Sequence, residues 1–191
     1  MNQLTKTDIL RRLQKGESFA GENFAGIDLS ATSLISINLS HANLSGAIFT
    51  KANLTEANLN DANLSNANFS GAIMKNAFLV GADLTNANFE GADLQGAFLS
   101  GCLLSGTNLR GANLRGATIG VPRWVASDPF GSLTSFEDAN LEGAIFGETT
   151  LKGVILLGAK LKGAYLYEAN LSEAVYKRSD LEGAITKMAV Q

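Results

Sequence analysis

A leucine or phenylalanine returns at every fifth position along almost the whole chain, usually with an alanine two residues before it. The stretch Ala52-Asn53-Leu54-Thr55-Glu56-Ala57-Asn58-Leu59-Asn60-Asp61-Ala62-Asn63-Leu64 shows the unit undiluted. A helix repeats at 3.6 residues and a plain strand at 2, so neither carries this pattern. A short fixed period specifies a stacked architecture, in which each unit buries its apolar side chains only against its neighbours.

The register is strict. From Phe19 to Ile119 the central residue falls at every position ending in 4 or 9, which makes 21 units, and ten more run from Phe136 to Leu181. Of these 31 central residues 28 are Leu or Phe, and 20 of the 31 positions two before them are Ala, far beyond chance. Phe136 ends in neither digit, so its distance from Ile119 is not a multiple of five. If Phe136 opens the very next unit, the segment Pro122–Leu133 is inserted; it holds both prolines and the only tryptophan. The chain therefore divides into residues 1–16, a repeat rod over 17–121, a loop over 122–133, the rod again over 134–185, and a tail over 186–191.

Residues 1–16 break the pattern. Ile9, Leu10 and Leu13 share one helical face, Thr7 can serve as N-cap, Arg11, Arg12 and Lys15 sit late, and Gly16 ends the run. A short amphipathic helix is expected over 7–15, as a lid on the first coil. Glu17 and Glu22 stand where alanine should, and an unpaired buried carboxylate is costly, so the first two units are expected to be incompletely closed where the helix packs.

Composition narrows the class. Of the 191 residues 46% are hydrophobic and 17% charged, which opposes disorder. No apolar run approaches the ~20 residues of a membrane span, residues 1–17 carry no apolar leader core, and one cysteine makes no internal disulfide. A cytoplasmic protein is the expectation. The net charge of −3 gives no basic nucleic-acid surface.

Units of the form A-(D/N)-L-x-x resemble the pentapeptide repeat family over roughly residues 17–185. The resemblance implies an all-β solenoid, a right-handed quadrilateral β-helix in which each pentapeptide forms one side and four form a coil. The central residue and the one two before it point inward. Asn or Asp before the central residue can bond local backbone at the corners. With four pentapeptides to a coil, Phe49, Phe69 and Phe89 stack in one inner column and Leu44, Leu64, Leu84 and Leu104 in another. At ~4.8 Å per coil, nearly eight coils make a rod of about 37 Å.

Chemistry-bearing residues are few. His41 falls at an outward corner, and one histidine without a cysteine or carboxylate cluster is not a metal site. Cys102 fills an alanine slot, where a buried thiol is inert packing rather than a redox sensor. Gly-Ala pairs such as Gly81-Ala82 are corner chemistry, not phosphate cradles. No catalytic set can be assembled, and no enzyme, cofactor, metal or small-molecule substrate is expected. Outward apolar residues are the candidate interface. Phe78 and Phe98 lie 20 apart on one face with Val80 beside them. Ile145, Tyr165 and Ile185 form a second column, Ile155 and Val175 a third, and exposed apolar patches mark interfaces; the alternative is that the Trp124 loop folds back and covers part of them, Phe78 and Phe98 included. Trp124, Val125, Phe130 and Leu133 are too apolar for a freely solvated loop; they pack on the rod or form an interaction finger.

Two functional classes follow. Some pentapeptide repeat proteins resemble B-form DNA and act on DNA gyrase. A DNA-like rod of ~37 Å should carry about 22 negative charges. Residues 17–121 carry eight acids against Lys51, Lys75, Arg110 and Arg115. A non-enzymatic scaffold that binds a protein partner fits better, with no direct contact to nucleic acid or membrane. The composition resembles cyanobacterial family members, among them regulators of cell differentiation. Family resemblance also implies pairing into a homodimer through the C-terminal coil, unless Met188 and Val190 plug that end.

Overall fold

A computed structural model describes residues 5–119 and 134–186. Parallel bridges join each residue before a centre to its counterpart four units on, in an unbroken series from Asn23–Asn43 to Phe98–Thr118. One bridge falls in each repeat unit except those of Ser18 and Asp180, so a coil has four five-residue sides. No side is long enough for a regular strand, and the described residues hold only isolated bridges. Turn residues follow nearly every bridge and its central neighbour, a 3₁₀ turn coming after Val175 and Tyr176, and they interrupt the extended backbone before a strand can form. The expected β-solenoid is thus built from single-residue ladders.

Backbone bonds between coils follow one rule. On a typical side, Asn43 N–H donates to Glu22 C=O in the coil below at 2.9 Å, and Leu44 N–H to Asn63 C=O above at 2.8 Å. Gly46 N–H donates to Ser65 C=O above at 2.8 Å, and Ala47 N–H closes the corner on Leu44 C=O at 3.0 Å. The corner needs a left-handed residue at its second turn position. Glycine serves there at Gly46 (φ 65°), and His41, Asp61 and Asn66 adopt the same conformation with side chains attached. The residue before the centre bonds the corner as anticipated: Asn63 Oδ1 accepts from Ser65 N–H at 3.1 Å. Asn43 Nδ2 also donates to Asn23 Oδ1 at 3.0 Å, which links coils through side chains.

The interior is filled by the two inward positions. Phe49, Phe69 and Phe89 stack with centroids 4.9 and 4.7 Å apart and planes 5° and 7° from parallel, the column expected from the period. Leu44, Leu64, Leu84 and Leu104 are buried in another. At two alanine slots filled by threonine, the hydroxyl bonds the coil below. Thr107 and Thr149 hydroxyls donate to Leu84 and Leu114 C=O at 2.9 and 2.8 Å. Each bond satisfies a buried polar group through a carbonyl's second lone pair.

Bridges across the inserted segment join Leu103 to Ser135 and Asn108 to Asn140. That offset is one coil plus the length of the segment Pro122–Leu133. Phe136 therefore takes the side above Leu104, and Thr134 fills its alanine slot, donating to Ile119 C=O at 2.7 Å. Trp124, Val125, Phe130 and Leu133 lie outside the described residues, as do Met188 and Val190.

The N-terminal helix, α1 (Lys6–Gln14), begins two residues earlier than Thr7 would place it. Thr5 is the N-cap: its hydroxyl accepts from Asp8 N–H at 3.3 Å while Asp8 Oδ2 accepts from Thr5 N–H at 3.1 Å. A reciprocal box satisfies two end donors, and Thr7 has no acid three residues on to make one. Ile9 is buried and Leu13 packs on the core. Arg12 resolves the two misplaced carboxylates. Its Nε bonds Glu17 and its Nη1 bonds Glu22, both at 2.8 Å, and its guanidinium lies 4.7 Å over the Phe19 ring. The Arg12 hydrogen bond holds Glu22 below the usual carboxylate range against a smaller opposing effect of burial. A depressed carboxylate stabilises the cap above its ordinary range, and the contribution fades as pH falls through the lowered value.

At the other end the coil loosens. A 3₁₀ turn, Arg178–Leu181, occupies one side, with Lys177 N–H donating to Asp180 Oδ2 at 2.7 Å. The Tyr165–Ile185 bridge restores the period beyond it. Leu171, Ala174, Leu181 and Ala184 are only half-buried.

A corner rule emerges that spans one coil. A Cβ at Gly81, Gly96, Gly106 or Gly158 would fall against the Oδ1 of Asp61, Asn76, Asn86 or Asp138 in the coil below, whereas a Cβ at Gly91 meets nothing. Both classes have positive φ, so both lose about 1 kcal/mol on replacement by alanine. Gly106→Ala should destabilise further than Gly91→Ala in urea melts, and Asn86→Ala in the same chain should remove the excess.

Candidate functional site

The outward position before each central residue defines four columns, and the apolar residues among them are the site candidates. On one side the column runs Asn38, Asn58, Phe78, Phe98, Thr118, joined throughout by bridges. The Phe78 and Phe98 rings lie outside the coil, stacked at 5.1 Å and 4° from parallel. Phe78 is 40% exposed and Val80 42%; Phe98 is half-buried. An asparagine at 78 would bond the corner N–H of Val80. That donor is instead taken by Asn60 Oδ1 from the coil below at 2.9 Å. The aromatic pair thus keeps its corner satisfied by a borrowed acceptor.

Ile145, Tyr165 and Ile185 form a bridged column on a neighbouring side, toward the C-terminal end. Tyr165 is 49% exposed. Ile155 and Val175 form the third. The structure keeps Phe78, Val80 and Phe98 together and sets Ile145 and Tyr165 apart from them. Trp124 and Phe130 lie outside the described residues.

Leu103, 52% exposed, went unrecognised in the sequence, as did Ile48 and Ile73. All three precede a central residue, so the rule that singles out Phe78 also finds them. Leu103 sits one side on from Phe98 and widens the apolar surface around that corner.

A groove of about 480 Å³ runs along the corner just before Phe78 and Phe98, lined by Lys75, Asn76, Gln95, Gly96, Arg115 and Glu148. Gly96 and Gly116 leave its floor without side chains. Its cations are paired: Lys75 Nζ lies 3.3 Å from Asp93 Oδ2 and Arg115 Nη2 2.7 Å from Glu148 Oε1. The Glu148 hydrogen bond raises Arg115 above its ordinary value. Such matched charges offer no excess field to a ligand.

The remaining candidates are structural. Cys102 is fully buried, its Sγ donates to Leu79 C=O at 2.9 Å, and burial pushes the thiol well up. A thiol so placed is no nucleophile. His41 stands at an exposed corner, 3.7 Å from Asp61. Among the described residues no group of three metal-ligating side chains occurs, and no helix is long and apolar enough to cross a membrane.

The chain matches the family described as Pentapeptide repeats in 8 copies, over residues 23–61, 62–101, 87–119 and 134–172. The chain belongs to the pentapeptide repeat family. Similar solved structures include a pentapeptide repeat protein from the Arabidopsis thaliana thylakoid lumen, 30% identical over 69% of each chain, with a TM-score of 0.41. HetL, involved in heterocyst differentiation regulation in the cyanobacterium Nostoc sp. strain PCC 7120, is 27% identical over 96% of this chain and 97% of its own, with a TM-score of 0.32. QnrB1, a plasmid-mediated fluoroquinolone resistance protein, is 18% identical over 83% and 88%, with a TM-score of 0.45. No curated protein matches the chain.

The outer and inner aromatic stacks should respond differently to mutation. Phe78→Asn with Phe98→Asn loses one exposed ring stack and opens no cavity, so stability in urea should change by about 1 kcal/mol or less. Phe69→Ala opens a cavity in the inner column and should cost about 3–5 kcal/mol.

Proposed function

We propose that this chain is a non-enzymatic protein-binding scaffold, a rigid rod that presents the Phe78–Phe98 surface to a protein partner. The rod is read as the right-handed quadrilateral β-helix that family membership implies, supported by four bridges between successive coils along most of its length. One observation carries the binding role: two phenylalanine rings stand stacked outside the coil, in a column where asparagine is the repeat's own choice. Nothing in the coil requires an aromatic there, and an aromatic pair held in place by the backbone ladder offers contact area at little entropic cost. Val80 and Leu103 extend the surface, and Ile145 with Tyr165 supply a second column. A cytoplasmic location goes with this reading.

The gyrase-directed DNA-mimic reading has less support. Basic residues stand one coil from acids along the rod: Arg110 reaches Glu90 at 3.2 Å and Glu142 at 3.9 Å, and Lys152 reaches Glu173 at 3.2 Å. These pairs break up an acidic stripe that would imitate a phosphate backbone. Purified chain should therefore leave gyrase supercoiling unchanged; inhibition or protection of the enzyme would favour the mimic.

Phe78→Ser with Phe98→Ser should leave the fold intact and remove the partner recovered by affinity capture and mass spectrometry from a native lysate. Capture unchanged by that pair of substitutions defeats the proposed surface.

A further inference from the structure

The two ends of the solenoid are chemically complementary, and α1 covers one of them. Throughout the rod, a coil's lower edge donates from the residue before each centre and accepts at that residue's carbonyl and at the first corner carbonyl. Its upper edge donates from the centre and the second corner residue and accepts two before the centre. The first coil presents the lower set on Asn23, Asp28 and Ser33; the last described coil presents the upper set. α1 occupies two of the first coil's acceptor slots with side chains. Lys6 Nζ donates to Ser30 C=O, where a lower coil's corner N–H would come, and Arg12 Nη2 donates to Ser18 C=O at 3.4 Å, where a central N–H would come.

A second barrier lies beneath. Glu17 and Glu22 occupy alanine slots, so a coil stacked on this edge would bury two unpaired carboxylates, which loss of hydration strongly opposes. The same two carboxylates hold Arg12. The other charged groups nearby are engaged elsewhere: Asp8 with Thr5 and Arg11, Asp28 with Ser30 N–H, His41 with Asp61. Lys15 is exposed.

We propose that α1 is an inhibitory cap on an assembly surface: once the Arg12 clip is open and the carboxylates in the two alanine slots are neutral, the N-terminal edge of one molecule takes the C-terminal edge of a second copy. The occupant is this same chain because its upper edge carries matching donors and acceptors on three of its four sides, the 3₁₀ turn Arg178–Leu181 interrupting the fourth. Such a contact is head-to-tail and does not close, so the product is a filament rather than a dimer. Neutralising Glu17 and Glu22 removes both barriers together.

Three full-length variants test this by light scattering, electron microscopy and hydrogen exchange. Arg12→Ala should free α1 amides to exchange yet remain monomeric at pH 7, because the charged carboxylates still occupy both slots. Arg12→Ala with Glu17→Ala and Glu22→Ala restores alanine to both slots, and should form rods whose mass climbs several-fold with concentration. Adding Ala174→Arg to that triple variant, on the half-open last coil, should return it to monomer. The proposal is overturned if the triple variant stays monomeric, if it stops at dimers, if α1 remains protected in it, if Arg12→Ala alone assembles at pH 7, or if Ala174→Arg leaves assembly unchanged.

Discussion

Only four short sides enclose each turn of this solenoid, and the space inside admits one large and one small side chain per side. That steric limit governs the rest. Four leucines or phenylalanines meet at the axis, and alanines between them let the backbone of each side come close. Two inward positions in five leave too little extended chain for a strand, so the coil is held by single bridges and the corner must turn at once. A left-handed residue at the second corner position makes that turn. Successive coils then lie one bridge apart, close enough for Phe49, Phe69 and Phe89 to stack almost parallel.

The outward positions have different obligations. Asparagine before the central residue serves the fold by bonding the corner and the coil below, as Asn63 and Asn43 do. The two corner residues are freer, although Asn60 lends its Oδ1 to Val80 N–H in the next coil, and there charges settle into pairs between coils, such as Arg110 with Glu90 and Arg115 with Glu148. Pairs so exposed add little stability each. Their effect is to keep the surface nearly neutral, which shifts any recognition to shape and apolar contact. Phe78 and Phe98 depart from the asparagine rule, and they do so one above the other.

The sequence displays the inward set almost completely because each buried position sits at a fixed place in a fixed period. Phe69, Leu84 and Cys102 could be assigned to the interior without coordinates. Outward residues are legible only as departures from a norm, and Leu103 escapes notice because leucine beside the central Leu104 reads as part of the core pattern. The groove beside Gly96 and Gly116 was not legible, since it arises from positions one coil apart that lack side chains. Thr7 attracts the N-cap assignment by its nearness to Ile9, yet the acid three residues on from Thr5 decides the matter. The side taken by Phe136 depends on how the chain closes across the insertion, and only the bridge from Leu103 to Ser135 settles it.

The irregular first coil follows from what covers it. A middle coil is roofed and floored by copies of itself, and alanine there leaves no gap. The first coil meets a helix, whose side chains do not repeat every five residues. Ile27 and Ile37 fill alanine slots with larger groups and join Ile9 in one continuous core. Thr32 turns its hydroxyl to Ser30 C=O at 3.1 Å. On the side where α1 brings a cation rather than an apolar residue, the slots carry carboxylates. The carboxylates and the isoleucines are thus matched to Arg12 and Ile9 of α1, so the first coil and the helix form one unit, and a change in either must be answered in the other.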